Sequence, residues 1–153
     1  MSVFKLERKQ LIRCDIDTLW AFFADARNLS VITPDYMNFV ITCDIPKGDV
    51  YAGQVITYKV SPLLGIPLNW MTEITHVERN KHFVDEQRVG PYKMWHHQHL
   101  FEQTDKGIMM TDIVHYRLPL GILGNIAHVL FVKKQLRDIF DYRYQQIEKH
   151  FNK

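Results

Sequence analysis

The chain has 153 residues, 46% of them hydrophobic and 24% charged, with a formal net charge of +2. This balance excludes a disordered polyelectrolyte, and the scattered basic residues build no field for nucleic acid, so none is expected as a partner. The length suits one domain over residues 1–153, large enough to bury about two thirds of its unfolded surface.

Nine Phe, seven Tyr and three Trp make 12% of the chain aromatic, which suits a heavy core or the wall of a ligand cavity. Cys14 and Cys43 are the only cysteines, too few for a secreted disulfide scaffold, and are expected as reduced thiols. Residues Met1 to Gln10 are charged at four positions and lack the apolar run of a signal peptide, so a cytoplasmic location is expected. The longest apolar stretch, Leu118 to Val132, is interrupted by Pro119, Gly121, Gly124, Asn125 and His128. It falls short of the roughly 20 residues of a membrane span and reads as a helix entering the core, so no stable membrane insertion is expected.

Ser2 to Arg13 alternates as a first strand, with a slip of spacing expected near Lys9. Asp15 or Asp17 offers an N-cap to a helix carrying Ile16, Leu19, Trp20 and Phe23 on one face and ending near Arg27. Asn28 to Thr33 suits a further helical turn, stopped by Pro34. Six runs rich in β-branched and aromatic residues follow: Phe39–Cys43, Tyr51–Val60, Leu68–Glu78, His82–Val89, Met94–Gln103 and Ile108–Leu118. Turn signals such as Lys47-Gly48-Asp49, Arg79-Asn80, Gly90-Pro91 and Asp105-Lys106-Gly107 separate them.

Short connections imply an antiparallel meander. From Leu120 to Phe151 the period returns to 3.6, with Leu123, Ile126, Leu130, Leu136, Phe140, Ile147 and Phe151 near one stripe. About 30 residues at 1.5 Å each give a helix of some 45 Å, long enough to cross the sheet. The expected fold is α+β: a curved antiparallel sheet of about seven strands wrapped on a long C-terminal helix. Whether a cavity remains between them or side chains fill it solid stays open at this level.

Several segments stand out in chain order: Leu19-Trp20, Asn28-Leu29 leading to Ile32-Thr33-Pro34, Phe83-x-Asp85-x-Gln87 running into Gly90-Pro91-Tyr92, and Trp95-x-His97-x-His99-x-Phe101. Met110-x-Asp112-x-Val114-x-Tyr116-x-Leu118-Pro119 and Phe140-x-Tyr142-Arg143 complete the set. Together they resemble the SRPBCC superfamily, which takes in START-type, pollen-allergen-type and polyketide-cyclase-type proteins and many small bacterial ligand-binding members. The resemblance covers nearly the whole chain and implies a helix-grip fold with a cavity for apolar ligands. It implies no single chemistry.

Alternation places Trp95, His97, His99 and Phe101 on one face of their strand and Met110, Asp112, Val114 and Tyr116 on one face of the next. A tight hairpin at Asp105-Lys106 sets Phe101 against Met110, His99 against Asp112, His97 against Val114 and Trp95 against Tyr116. A His99–Asp112 pair on an apolar surface suits a general base or a ligand anchor, and equally a self-satisfied structural pair. His97 and His99 have the spacing of two ligands of one metal, but a third would have to come from Asp112, Glu73 or Glu86. With no second cluster evident, no metal and no cofactor are expected, and His96 and His115, on the other parity, are expected in solvent.

Arg143, between Phe140 and Ile147 in sequence, either reaches a carboxylate inside (Glu73, Asp85, Glu86 or a ligand's) or snorkels to the rim. Ser61 to Pro67, Leu63-Leu64 above all, either flanks a cavity mouth or rests on the last helix. The expected ligand contacts are Trp70, Trp95, His97, His99, Phe101, Asp112, Tyr116 and Arg143. No nucleophile elbow, phosphate loop or dinucleotide fingerprint is present. The residues point to a carrier, sensor or sequestering protein for a small apolar, lipid-like molecule. The alternatives are a cyclase or aromatase-type enzyme with His99 and Asp112 as catalytic pair, and a peripheral membrane contact through Leu120 to Val132.

Overall fold

The structure is a computed structural model that describes residues 2–62 and 64–153; Met1 and Leu63 lie outside the description. The elements run β1 (Phe4–Ile12), α1 (Ile16–Phe23), 3-10 turns Ala26–Ser30 and Asp35–Met37, β2 (Val40–Ile41) and β3 (Val55–Val60). After them come β4 (Leu68–Glu78), β5 (His82–Val89), β6 (Met94–Thr104), β7 (Gly107–Arg117), α2 (Gly121–Ala127), a π-helical turn His128–Val132 and α3 (Lys133–Phe151). The seven strands form one antiparallel sheet in the order β1-β7-β6-β5-β4-β3-β2.

The meander follows from short turns, and β1 joins β7 because both alternate with the same buried parity. Phe4 faces Tyr116 and Ile12 faces Ile108 without interruption, so the slip expected near Lys9 does not occur. What disturbs the hydrophobic alternation is Gln10, which points inward and donates its amide to the Tyr144 carbonyl and the Glu148 carboxylate of α3. Between β4 and β5 the register shifts at Met71/Thr72 and Ile74/His76. Such bulges bend the strand they occupy and sharpen the sheet's curl.

α1 begins at Asp15, whose carboxylate accepts from the Thr18 amide at 2.8 Å, and buries Leu19, Trp20 and Phe23. It stops short of Arg27 because Asp25 caps a new turn, accepting from the Arg27 amide. β3 starts at Val55 rather than Tyr51: Gly53, at φ +92°, turns the chain there, and its amide is taken by the Ile74 carbonyl.

The long C-terminal helix covers the sheet only in its second half, where Leu136, Phe140, Arg143 and Ile147 are buried. The expected stripe over Leu123, Ile126 and Leu130 is corrected: these side chains are 67%, 52% and 60% exposed. The inward positions of the first half are Gly124 and His128 instead. Gly124 permits an approach that a Cβ, 2.1 Å from the Pro119 carbonyl oxygen, would forbid. His128 stacks on Phe4 at 3.5 Å and meets the Tyr116 hydroxyl at 2.8 Å. The wider π turn keeps steps of four (Gly124, His128, Val132, Leu136) on one side, so a 3.6-period count assigns this segment the wrong face.

Candidate functional site

Two clusters of buried apolar side chains sit under the sheet. One gathers Trp20, Phe23, Phe83, Phe101 and Ile147; the other gathers Leu6, Val114, Tyr116, Leu136 and Phe140. Beside them the curved sheet, the first 3-10 turn and α3 leave a cavity of about 350 Å³. Its wall is mostly apolar and aromatic: Trp70 stacks on Tyr58 at 5.9 Å and meets Trp95 edge-on at 5.4 Å. Pro62 also lines it and accepts a hydrogen bond from the Gln135 side chain, which ties the Ser61–Pro67 loop to α3. Leu64 in that loop is 87% exposed, whereas the adjoining Leu63 lies outside the described residues.

The polar part of the wall is a cluster from four elements: Asp85 on β5, His97 and His99 on β6, Asp112 on β7 and Arg143 on α3. The β6–β7 register is as expected, with His99 opposite Asp112 and Trp95 opposite Tyr116. The hydrogen bonds are distributed differently. His97 Nε2 donates to Asp112 Oδ1 at 2.9 Å, and His99 Nε2 donates to Asp85 Oδ2 at 2.7 Å. His99 Nδ1 lies 3.2 Å from Asp112 Oδ1, and Arg143 Nη2 reaches the same oxygen at 3.3 Å. His97 Nδ1 faces Asp85 Oδ2 at 3.5 Å.

Burial would raise the Asp112 carboxyl, but the Arg143 charge and the bonds from His97 and His99 hold it well below the ordinary range. Asp85 is lowered in the same way, burial being outweighed by His97, His99 and Arg143. The two imidazoles, with ring centres 3.8 Å apart, part in opposite directions. Burial and the neighbouring His99 pull His97 down, whereas at His99 the carboxylates of Asp112 and Asp85 outweigh burial and raise it.

Trp70, Trp95, His97, His99 and Arg143 line the cavity, as does Asp85. Three of the expected contacts stand elsewhere. Phe101 is fixed in the core against Trp20 and Phe23; Tyr116 is buried with its hydroxyl on His128; Asp112 sits behind the histidines, outside the lining. Arg143 does not snorkel to the rim: it is 8% exposed, its guanidinium lies 5.3 Å from the Phe23 ring and 5.7 Å from the Phe140 ring, and its Nε has no partner. His96 is half-buried and bonded to Glu86 at 2.8 Å rather than free in solvent, and half-buried His115 stands across from it.

Asp85 is the residue that strand pairing on β6 and β7 alone misses. Its signal lies one strand further, since Asp85 faces His97 in the β5–β6 pairing. Asp85, His97 and His99 are also the residues that could hold a metal, with three donor atoms within 4.8 Å of one another.

The architecture is an α+β helix-grip fold, a seven-stranded antiparallel sheet closed by a C-terminal helix, and solved structures share it. Protein Ms6760 from Mycobacterium smegmatis superimposes with a TM-score of 0.67 at 17% identity, over 95% of this chain and 88% of that one. An uncharacterised protein from Rhizobium leguminosarum gives 0.68 at 11% identity, over 97% of both chains. Major latex-like protein 151 of Panax ginseng gives 0.66 at 16% identity, again over 97% of both. No family model matches the sequence, and no curated protein matches it. Among the described residues no helix is long and apolar enough to cross a membrane.

Proposed function

We propose that the protein is a single ligand-binding domain, spanning 1–153 and working in the cytoplasm, that carries, senses or sequesters a small amphipathic molecule. The apolar part of this guest lies against Trp70 and Trp95, and its polar end meets Asp85, His99 and Arg143. The observation that carries the reading is a mostly apolar cavity of about 350 Å³ whose wall also carries Asp85, His99 and Arg143. A few polar groups on an otherwise apolar wall orient an amphipathic guest, and the volume falls in the range of small-molecule sites.

Native mass spectrometry of the purified protein tests this, together with titration of stripped protein with an apolar fluorescent dye. A retained small molecule, or saturable dye binding that Trp70→Ala weakens, supports it; absence of both refutes it.

An enzymatic reading draws on one feature, the adjacent imidazoles whose proton affinities are pushed apart, which is the arrangement of an acid beside a base. A cyclase or aromatase of this kind would lose far more rate than affinity in His99→Gln. Equal losses in both would leave only binding.

A further inference from the structure

We infer that Asp85, His97 and His99 form a binding site for one divalent transition metal of the zinc class, with Asp112 orienting the two imidazoles and open coordination positions turned to the cavity. Zinc-type bonds to nitrogen and oxygen of about 2.0–2.2 Å at tetrahedral angles place neighbouring donor atoms roughly 3.3 Å apart. Asp85 Oδ2 lies 3.5 Å from His97 Nδ1 and 2.7 Å from His99 Nε2, which brackets that spacing. All three residues line the cavity, so a metal there would meet a guest's oxygen or a water.

The second observation is what stands behind the rings. The other nitrogen of each imidazole, Nε2 of His97 and Nδ1 of His99, faces the single oxygen Asp112 Oδ1, at 2.9 and 3.2 Å. A carboxylate behind a ligating histidine fixes the ring and leaves the forward lone pair for the metal. At His97 this is already the arrangement: with its hydrogen on Nε2, the bare Nδ1 faces a carboxylate oxygen, acceptor against acceptor. A cation between them turns that contact from repulsive to attractive.

Charge points the same way. With neutral imidazoles the two carboxylates and Arg143 sum to one negative charge in a buried site. A divalent ion leaves one positive charge, with the hydrogen of His99 moving from Nε2 to Nδ1, where Asp112 Oδ1 accepts it, so that Nε2 offers its lone pair to the metal. Two imidazoles among three donors favour zinc-class ions over magnesium or calcium, which prefer all-oxygen shells.

The test needs no guest, so its failure leaves the ligand-binding reading standing. Metal-stripped full-length protein is titrated with Co²⁺, followed by visible absorption, and dialysed against Zn²⁺ for elemental analysis. The expected results are one zinc per chain and Co²⁺ ligand-field bands that zinc abolishes. Affinity should fall at least about 100-fold in His99→Gln and Asp85→Asn, and about 10- to 100-fold in Asp112→Asn. His96→Gln, on the outer face, should change nothing. Absence of stoichiometric metal in the wild type, which no folding defect can mimic, overturns the inference. Bands that survive in both His99→Gln and Asp85→Asn, or vanish in His96→Gln, do so equally.

Discussion

The ion pair between Arg143 and Asp112 ties α3 to the centre of the sheet, and a double-mutant cycle on it has a predictable size. At 3.3 Å and an effective dielectric near 20, the attraction is about 5 kcal/mol, set against a desolvation penalty of several kcal/mol for each ion. The separation exceeds the ~2.7–2.9 Å of an ideal charge-assisted bond, which places the coupling toward the lower end, about 1.5–3 kcal/mol. Asp112→Asn alone leaves a buried guanidinium uncompensated and should cost about 3–5 kcal/mol. Arg143→Met should cost less, about 2–3 kcal/mol, because His97 and His99 still serve Asp112 Oδ1. The double variant Asp112→Asn/Arg143→Met should then lose at least about 1.5 kcal/mol less than the two single losses added together. Urea denaturation of metal-free protein, read as midpoint and slope, measures all four corners. Strict additivity would refute the pairing, and a variant with altered slope would be set aside in favour of Arg143→Gln, which also removes the charge.

Trp20 is fully buried, edge-on to Phe83 and Phe101, and donates to Asp49 at 2.9 Å, so Trp20→Ala should cost about 3–5 kcal/mol in the same assay. Leu123→Lys and Phe131→Lys should each shift stability by less than about 0.5 kcal/mol, since both side chains stand in solvent. A loss above 1 kcal/mol would show that segment to be covered. Gly124→Ala should loosen α2 from Pro119 and lower protection of the Gly121–Val132 amides in hydrogen exchange, with little change in the sheet.

How much of this was legible in the sequence depended on how tightly each connection constrains its neighbours. The β6–β7 register could be read because the Thr104–Gly107 turn leaves one choice of pairing, and with it came His97, His99 and Asp112 on the inner face. Asp85 could not be placed with the same certainty, because the irregular Gly90–Lys93 link and the bulges between β4 and β5 leave that register free. The position of α3 was legible from Leu136, Phe140 and Ile147, but Arg143 was ambiguous: its burial depends on a carboxylate brought from another element. In the Gly121–Val132 segment the periodicity misled, because glycine and histidine hold the inward positions while the leucines face out. The cavity lies beyond alternation altogether, since patterning assigns faces and not volumes.

That cavity makes its own energetic demand. At about 24 cal/mol per Å³ a sealed, empty apolar void of 350 Å³ would cost about 8 kcal/mol, but this cavity opens to solvent and has Asp85, His97, His99 and Arg143 on its wall, so water enters and the cost is smaller. The surrounding framework resists collapse into this space, because the polar cluster bolts α3 to β6 and β7 at one wall. Filling part of it should therefore stabilise the protein while excluding the guest. Ala26, buried in the 3-10 turn at the cavity wall, is the place to do so. Ala26→Leu adds three carbons, worth up to about 2 kcal/mol at ~0.8 kcal/mol each if they enter without strain. The expected outcome is a rise in the unfolding midpoint together with weaker dye binding, two changes of opposite sign from one substitution. In a solid core the same change would overpack and cost about 1–3 kcal/mol. A fall in stability with dye binding unchanged would mean that the space beside Ala26 is no cavity in solution.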